Sequence, residues 1–67
     1  MKPRRYAVAI DTEGNPFKCE HMKEPIKDAP DTIEEGFRSI PTWVNLWASD
    51  EDDARERAVK MWREKRQ

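Results

Sequence analysis

The sequence predicts an α+β domain in which a three-stranded antiparallel sheet carries a C-terminal amphipathic helix on one face. Apolar and polar residues alternate over 5–12 and again over 42–48, as they do in half-buried strands. A turn-forming stretch at 13–16 separates the first of these strands from a weaker one. The last third of the chain repeats apolar residues at helical spacing.

The first element is a β-hairpin over about 5–22. Its first strand directs three apolar side chains to one face, namely Tyr6, Val8 and Ile10. Gly14 and Asn15 tolerate positive φ in the turn, and Pro16 interrupts strand pairing. The return strand is expected to direct a second set to one face, namely Phe17, Cys19 and His21.

Residues 23–41 are predicted to form a loop that contains a short helix or a pair of turns. The first part carries two prolines among charged residues, which is typical of a surface loop. Residues 31–35 resemble a helix start with a capping box. Three apolar residues follow at i, i+4 and i+7, namely Ile33, Phe37 and Ile40. Pro41 prevents the helix from continuing.

The second clear strand covers about 42–48 and leads into the helix at about 50–65. One side of the strand presents Val44, Leu46 and Ala48, and the other presents Trp43, Asn45 and Trp47. Ser49 or Asp50 is the expected N-cap, and acidic residues follow in the first turn. The apolar stripe of the helix consists of Ala54, Ala58, Met61 and Trp62. We expect Val44 and Leu46 under this stripe; the reverse register, with the tryptophans under the helix, stays open.

Length and composition indicate one small domain spanning 1–67. The 13 basic residues nearly cancel the 14 acidic ones, so the net charge of −1 does not favour nucleic acid, a membrane or an acidic substrate as partner. Cys19 is the single cysteine, which excludes an internal disulfide. No segment resembles a signal peptide or a membrane span, so a cytoplasmic location is expected.

Three motifs resemble metal sites but are better explained as structure. Cys19 and His21 are the only cysteine and the only histidine of the sequence, whereas a structural zinc site needs four ligands, usually from these two residue types. Counted from Asp11, the glycine of residues 11–15 comes fourth, whereas a calcium loop of the EF-hand type has its glycine at position six. The acids at 50–53 suit a helix N-terminus. With one histidine and no nucleophile or phosphate-loop motif, the sequence predicts no enzyme activity, no metal and no cofactor.

The strongest functional signal is the placement of two tryptophans on the sheet face opposite the helix. Either Ile33, Phe37 and Ile40 cover them as a second small core, or they form an interaction surface. We expect one of the two to be mostly buried and the other accessible. The predicted function is therefore a non-enzymatic accessory, regulatory or inhibitory protein that binds a partner protein. The candidate partner-binding residues are Trp43, Asn45, Trp47, Glu34, Glu35, Asp52 and Asp53.

The sequence leaves two alternative functions open. Basic residues at both ends of the chain, together with Tyr6 and Trp62, would suit a nucleic-acid groove in which bases stack on the rings. An exposed strand edge or the tryptophan-bearing face would instead suit a structural homodimer.

Overall fold

The computed structural model describes residues 3–36 and 41–66. Its elements, in chain order, are β1 (Arg4–Ile10), β2 (Pro16–Met22), β3 (Thr32–Glu34), β4 (Thr42–Ala48) and α1 (Glu51–Lys65). The four strands form one antiparallel sheet in the order β2-β1-β4-β3. Helix α1 packs on β4, β1 and β2, so an α+β fold with a C-terminal helix is confirmed.

The prediction of three strands was wrong, because Thr32–Glu34 form a fourth. Ile33 lies opposite Val44 in the pairing of β3 with β4, and it packs against the core on the helix side of the sheet. A short helix is therefore absent from 32–34. Three residues are too few to show the period-2 alternation of a strand. The spacing of Ile33, Phe37 and Ile40 matches that of one helix face, which is why a short helix was predicted. Phe37 and Ile40 lie outside the described residues.

The two central strands, β1 and β4, supply most of the core. Val8 lies opposite Val44, and Tyr6 lies opposite Leu46. The core side chains, each at most 2% exposed, are Tyr6, Val8, Ile10, Val44, Leu46, Ala48, Ala54 and Ala58. The alternation predicted for both strands is confirmed, and the register that places Val44 and Leu46 under the helix is the one observed.

Helix α1 begins at a capping arrangement built from two consecutive residues, Ser49 and Asp50, and one acid further on, Asp53. Asp50 is the N-cap, and its carboxylate accepts from the Asp53 backbone N–H at 2.8 Å. The Asp53 carboxylate in turn accepts from Ser49, from its backbone N–H at 3.0 Å and from its hydroxyl at 3.2 Å. The bond to Asp50 satisfies an N–H group that the first helical turn leaves without an intrahelical partner, and the bonds from Ser49 hold the residue before the N-cap against that turn.

The turn between β1 and β2 is organised by the Asp11 carboxylate. Its Oδ1 atom accepts from the backbone N–H groups of Glu13 and Asn15, each at 2.9 Å. These bonds lower the pKa of Asp11, with the Asn15 N–H as the largest cause. Gly14 has φ +88°, a conformation that favours glycine. The carboxylate that resembled part of a calcium loop therefore stabilises a hairpin turn.

Candidate protein-binding face of the sheet

The sheet face opposite α1 carries both candidate tryptophans of β4, and we call it the tryptophan face. Strand pairing arranges its side chains in three rows across the sheet. The first row is Met22, Arg5 and Trp47; the second is Glu20, Ala7, Asn45 and Thr32; the third is Lys18, Ala9, Trp43 and Glu34. The sequence prediction that Trp43, Asn45 and Trp47 share this face is borne out by this register.

Trp43 is half-buried in the third row beside a small residue and a cation. Its neighbour on β1 is Ala9, which is fully buried although it faces away from the helix. The Lys18 ammonium lies 6.0 Å from the centre of the indole ring. Lys18 also forms an ion pair with Glu20, with 3.1 Å between Nζ and Oε1. The ring is thus held between a packed alanine and an exposed charge.

Trp47 is also half-buried, and hydrogen bonds fix both its ring and its backbone. Its indole N–H donates to the carbonyl oxygen of Ala29 at 2.7 Å. Its backbone N–H donates to Asp31 Oδ1 at 3.3 Å. The Arg5 guanidinium carbon lies 5.3 Å from the ring centre. Both tryptophans have intermediate exposure, so the expectation that one is mostly buried and the other accessible stays a prediction.

Arg5 ties residues 27–31, which we call the strap, across the end of the tryptophan face. Its guanidinium donates to the carbonyls of Ala29 at 3.2 Å and Pro30 at 2.8 Å. It also lies 3.7 Å from the carboxylate of Asp31. Arg5 is 6% exposed, so the strap and Trp47 remove its charge almost completely from water.

One of the two predicted outcomes was a second small core in which Ile33, Phe37 and Ile40 cover the tryptophans. Ile33 does not take part in such a cover, because it packs against the core on the other face. Phe37 and Ile40 lie outside the described residues.

An open groove of about 580 Å³ runs between the strap and the N-terminal end of β1. Pro3, Lys27, Asp28, Ala29 and Trp47 line it. Asp28 has φ +60°, in the left-handed region that aspartate adopts more readily than most residues. The indole of Trp47 therefore contributes both to the tryptophan face and to a concave surface at its margin.

Asn45 lies in the row between the two tryptophans. It is half-buried, and its side-chain amide donates to the Thr32 hydroxyl at 3.2 Å. One amide N–H is thus used to join β4 to β3. The remaining polar atoms give the middle of an otherwise aromatic surface the capacity to form directional hydrogen bonds.

The four acidic candidates do not form one patch. Glu34 is exposed on β3 and lies opposite Trp43, so it borders the tryptophan face. Glu35 instead pairs with Arg66 at the C-terminal end of α1, at 3.5 Å. Asp52 and Asp53 lie in the first turn of α1, where Asp53 is part of the cap. The structure therefore groups Glu34 with the tryptophans and separates the other three acids from them.

The two rings proposed as nucleic-acid stacking surfaces occupy structural positions. Tyr6 is 2% exposed, and its ring centre lies 5.4 Å from that of His21. Trp62 is half-buried against the core, and the Arg66 guanidinium lies 4.2 Å from the centre of its ring. The burial of Tyr6 removes one of the two stacking surfaces on which that alternative depended.

Cys19 and His21 lie on the helix side of β2. Burial raises the pKa of the Cys19 thiol, so the residue stays a neutral thiol near neutral pH. An open cleft of about 440 Å³ near the start of α1 is lined by Arg4, Tyr6, His21 and the acids Asp50, Glu51 and Asp52. Among residues 3–36 and 41–66, no three His, Cys, Asp or Glu side chains are arranged to hold a metal ion.

Sequence reasoning missed the most constrained residue of the site, Arg5. An arginine on the outward-facing side of a strand is ordinarily exposed to solvent. The place of Arg5 in the sequence therefore did not indicate that it is buried. In the part of the chain that the structure describes, α1 is too short and too polar to cross a membrane. Comparisons with protein-family models, curated proteins and solved structures find no match for this chain.

Proposed function

We propose that this chain is a non-enzymatic protein-interaction domain, a small accessory, regulatory or inhibitory protein that binds a partner protein through the tryptophan face. The observation that supports this most is the position of Trp43 and Trp47. Both lie on the sheet face that α1 does not cover, and both keep part of their surface accessible. Tryptophan is among the residues most enriched in the energetic centres of protein interfaces.

Preorganisation of the two rings favours this function. Trp47 is fixed by its bond to Ala29, and Trp43 is flanked by the buried Ala9 and by Lys18. Side chains held in place before binding lose little conformational entropy on association, so more of the contact energy appears as affinity. Asn45 between them supplies a hydrogen-bonding group that an entirely apolar patch would lack.

The border of the face favours a protein over a nucleic acid as the partner. Lys18 is paired with Glu20, and Glu34 adds a further negative charge at the β3 side. Arg5 is buried against the strap and Asp31. A phosphate backbone would require a surplus of accessible cations, which this mixture does not provide. An aromatic centre with a border of both charges is the usual composition of a protein interface.

The experiment compares partner capture by three forms of the chain from a lysate of the source cells. Asn45→Arg places a long charged side chain between the tryptophans without altering the core. Asn15→Arg makes the same substitution in the exposed turn between β1 and β2 and serves as the matched control. We expect a protein captured by the wild type and by Asn15→Arg, and lost with Asn45→Arg, at equal circular dichroism. A bound species that survives Asn45→Arg, or that disappears on nuclease treatment, would contradict the proposal.

A further inference from the structure

The outer edge of β2 is the longest sheet edge left unpaired by the described residues. β2 has seven residues and pairs with β1 on one side, and no strand within 3–36 or 41–66 pairs with its other side. The opposite edge strand, β3, has three residues. A long edge presents a row of backbone N–H and C=O groups that another strand can bind.

Two large apolar side chains are exposed at the ends of this edge. Phe17 is 58% exposed and Met22 is 41% exposed. Phe17 lies at an irregularity of the strand, because Ala9 pairs with Lys18 and Ile10 pairs with Pro16, so that Phe17 has no partner on β1. The edge therefore combines free backbone groups with apolar surface at both ends.

From these features we infer that two copies of this chain associate through their β2 edges, antiparallel, about a two-fold axis that passes at Cys19. Directly opposite residues in an antiparallel pair point to the same face of the sheet. A symmetric pair of identical strands must therefore be centred on a residue. In the middle of β2 the candidates are Lys18, Cys19 and Glu20.

Charge selects among these three centres. A centre at Lys18 would place two lysines directly opposite each other, and a centre at Glu20 would do the same with two glutamates; both arrangements are destabilising. A centre at Cys19 places Lys18 of each copy opposite Glu20 of the other. Lys18 and Glu20 already pair within one chain, at 3.1 Å, so the dimer would hold four charges of alternating sign on one surface.

The same register also uses the exposed apolar side chain of Phe17. It places Phe17 opposite His21 of the second copy, on the helix side of the sheet. Cross-strand neighbours of this kind contact each other and contribute to sheet stability. The centre at Cys19 therefore provides a partner for Phe17 as well as for the charged middle of the strand.

The helices leave room for this association. α1 packs on β4, β1 and β2, so it is centred near β1. In the dimer, the two copies of β1 would be separated by three strand spacings, about 14 Å. Packed helices need only about 8–10 Å between their axes. The product is an eight-stranded antiparallel sheet with both helices on one face and all four sheet tryptophans on the other. The inference stands whether or not that face binds a partner.

The first test measures association by sedimentation at concentrations up to about 1 mM, since edges of this size form weak interfaces. We expect a reversible dimer of the 8.0 kDa chain. K18E and E20K each place like charges opposite one another and should each be monomeric. The double variant K18E/E20K should dimerise again, and an equimolar mixture of the two single variants should form the heterodimer.

The charge variants also separate this dimer from other modes of association. A monomer at about 1 mM would overturn the inference, as would a dimer that K18E and E20K leave intact. Failure of both the double variant and the mixture to associate would overturn the register centred at Cys19. Thermal melting of each variant, checked by circular dichroism, establishes that the folded chain is being compared.

Disulfide formation between the Cys19 residues of two copies tests the register independently. Directly opposite residues in an antiparallel pair have Cα atoms about 4.5 or 5.5 Å apart, which is within the range that a disulfide can span. Mild oxidation should therefore link two copies through Cys19, and K18E should slow the reaction. The control is T12C in a C19S background, which carries a cysteine in the exposed turn. Equal rates for the wild type, K18E and the control would show that the chains meet only by random collision.

Discussion

The ring of Trp62 closes directly over Gly14: a Cβ atom added at Gly14 would lie 2.7 Å from Cζ3 of the indole. Gly14 also has φ +88°. The C-terminal half of α1 is therefore packed onto the turn between β1 and β2 with no space for a side chain. Trp62 also packs against the core, so its ring joins the turn between β1 and β2 to the core beneath α1.

We expect Gly14→Ala to lower the free energy of unfolding by about 2–4 kcal/mol, because it adds both backbone strain and an overlap with Trp62. Gly14→Asn separates the two causes, because asparagine tolerates positive φ but also carries the Cβ atom. If the overlap dominates, the two variants lose similar stability in urea denaturation. An asparagine variant as stable as the wild type would assign the effect to strain alone.

Trp62→Ala should leave the chain largely unfolded at about 37 °C, since replacing a packed tryptophan costs about 3–5 kcal/mol and a domain of this size has little more to lose. Arg66→Ala is the control, because Arg66 is exposed and its guanidinium lies 4.2 Å from the centre of the same ring. We expect that control to lose less than about 1 kcal/mol. A wild-type thermal transition for Trp62→Ala would show that the helix does not depend on this contact.

The elements that the sequence predicted well are those with long, complete patterns. β4 alternates throughout its seven residues, β1 has an apolar side chain at every second position from Tyr6 to Ile10, and the side chains predicted for the core of each strand are buried. The start of α1 was predicted from capping chemistry, which depends on residues close in sequence. In both cases the information needed lies within one element.

The features that the sequence did not predict depend on contacts between distant segments. β3 is defined by its pairing with β4, in which Ile33 lies opposite Val44. A three-residue strand is too short to show an alternating pattern in the sequence. The burial of Arg5 depends on carbonyl groups 24 and 25 residues further along the chain. Backbone carbonyls belong to every residue type, so the composition of the strap could not indicate that an arginine would bind there.

Acid should destabilise the chain through Asp53. The Ser49 backbone N–H and the Arg57 side chain hold the pKa of Asp53 below its ordinary value of 3.8. A carboxylate whose pKa is lowered on folding stabilises the folded state above its unfolded pKa, and this contribution is lost as pH falls through the folded pKa. Asp11 shifts in the same direction. Stability should therefore change little above about pH 5 and fall below about pH 4.

The test is the pH dependence of urea denaturation for the wild type and two variants. Asp53→Asn should be less stable at neutral pH and should lose less stability on acidification. Asp52→Asn is the control, because that exposed neighbour accepts no backbone hydrogen bond among the described residues. Identical acid dependence of Asp53→Asn and the wild type would contradict the role assigned to the cap.

The strap should loosen when Arg5 is replaced. Arg5→Met keeps an unbranched side chain against Trp47 but removes the donors to Ala29 and Pro30. Because hydrogen bonds from a charged group contribute about 1.5–3 kcal/mol, we expect a loss of about 2–3 kcal/mol. Arg4→Met is the matched control, since Arg4 is exposed on the same strand.

Trypsin provides the local measurement, because Lys27 lies within the strap. Cleavage after Lys27, followed by mass spectrometry under conditions in which the chain stays folded, should be faster in Arg5→Met than in Arg4→Met. Cleavage within α1 should change less, since global unfolding is not required to open the strap. Equal cleavage at Lys27 in the two variants would mean that the bond from Trp47 to Ala29 is sufficient to hold the strap, and that Arg5 is buried there without positioning it.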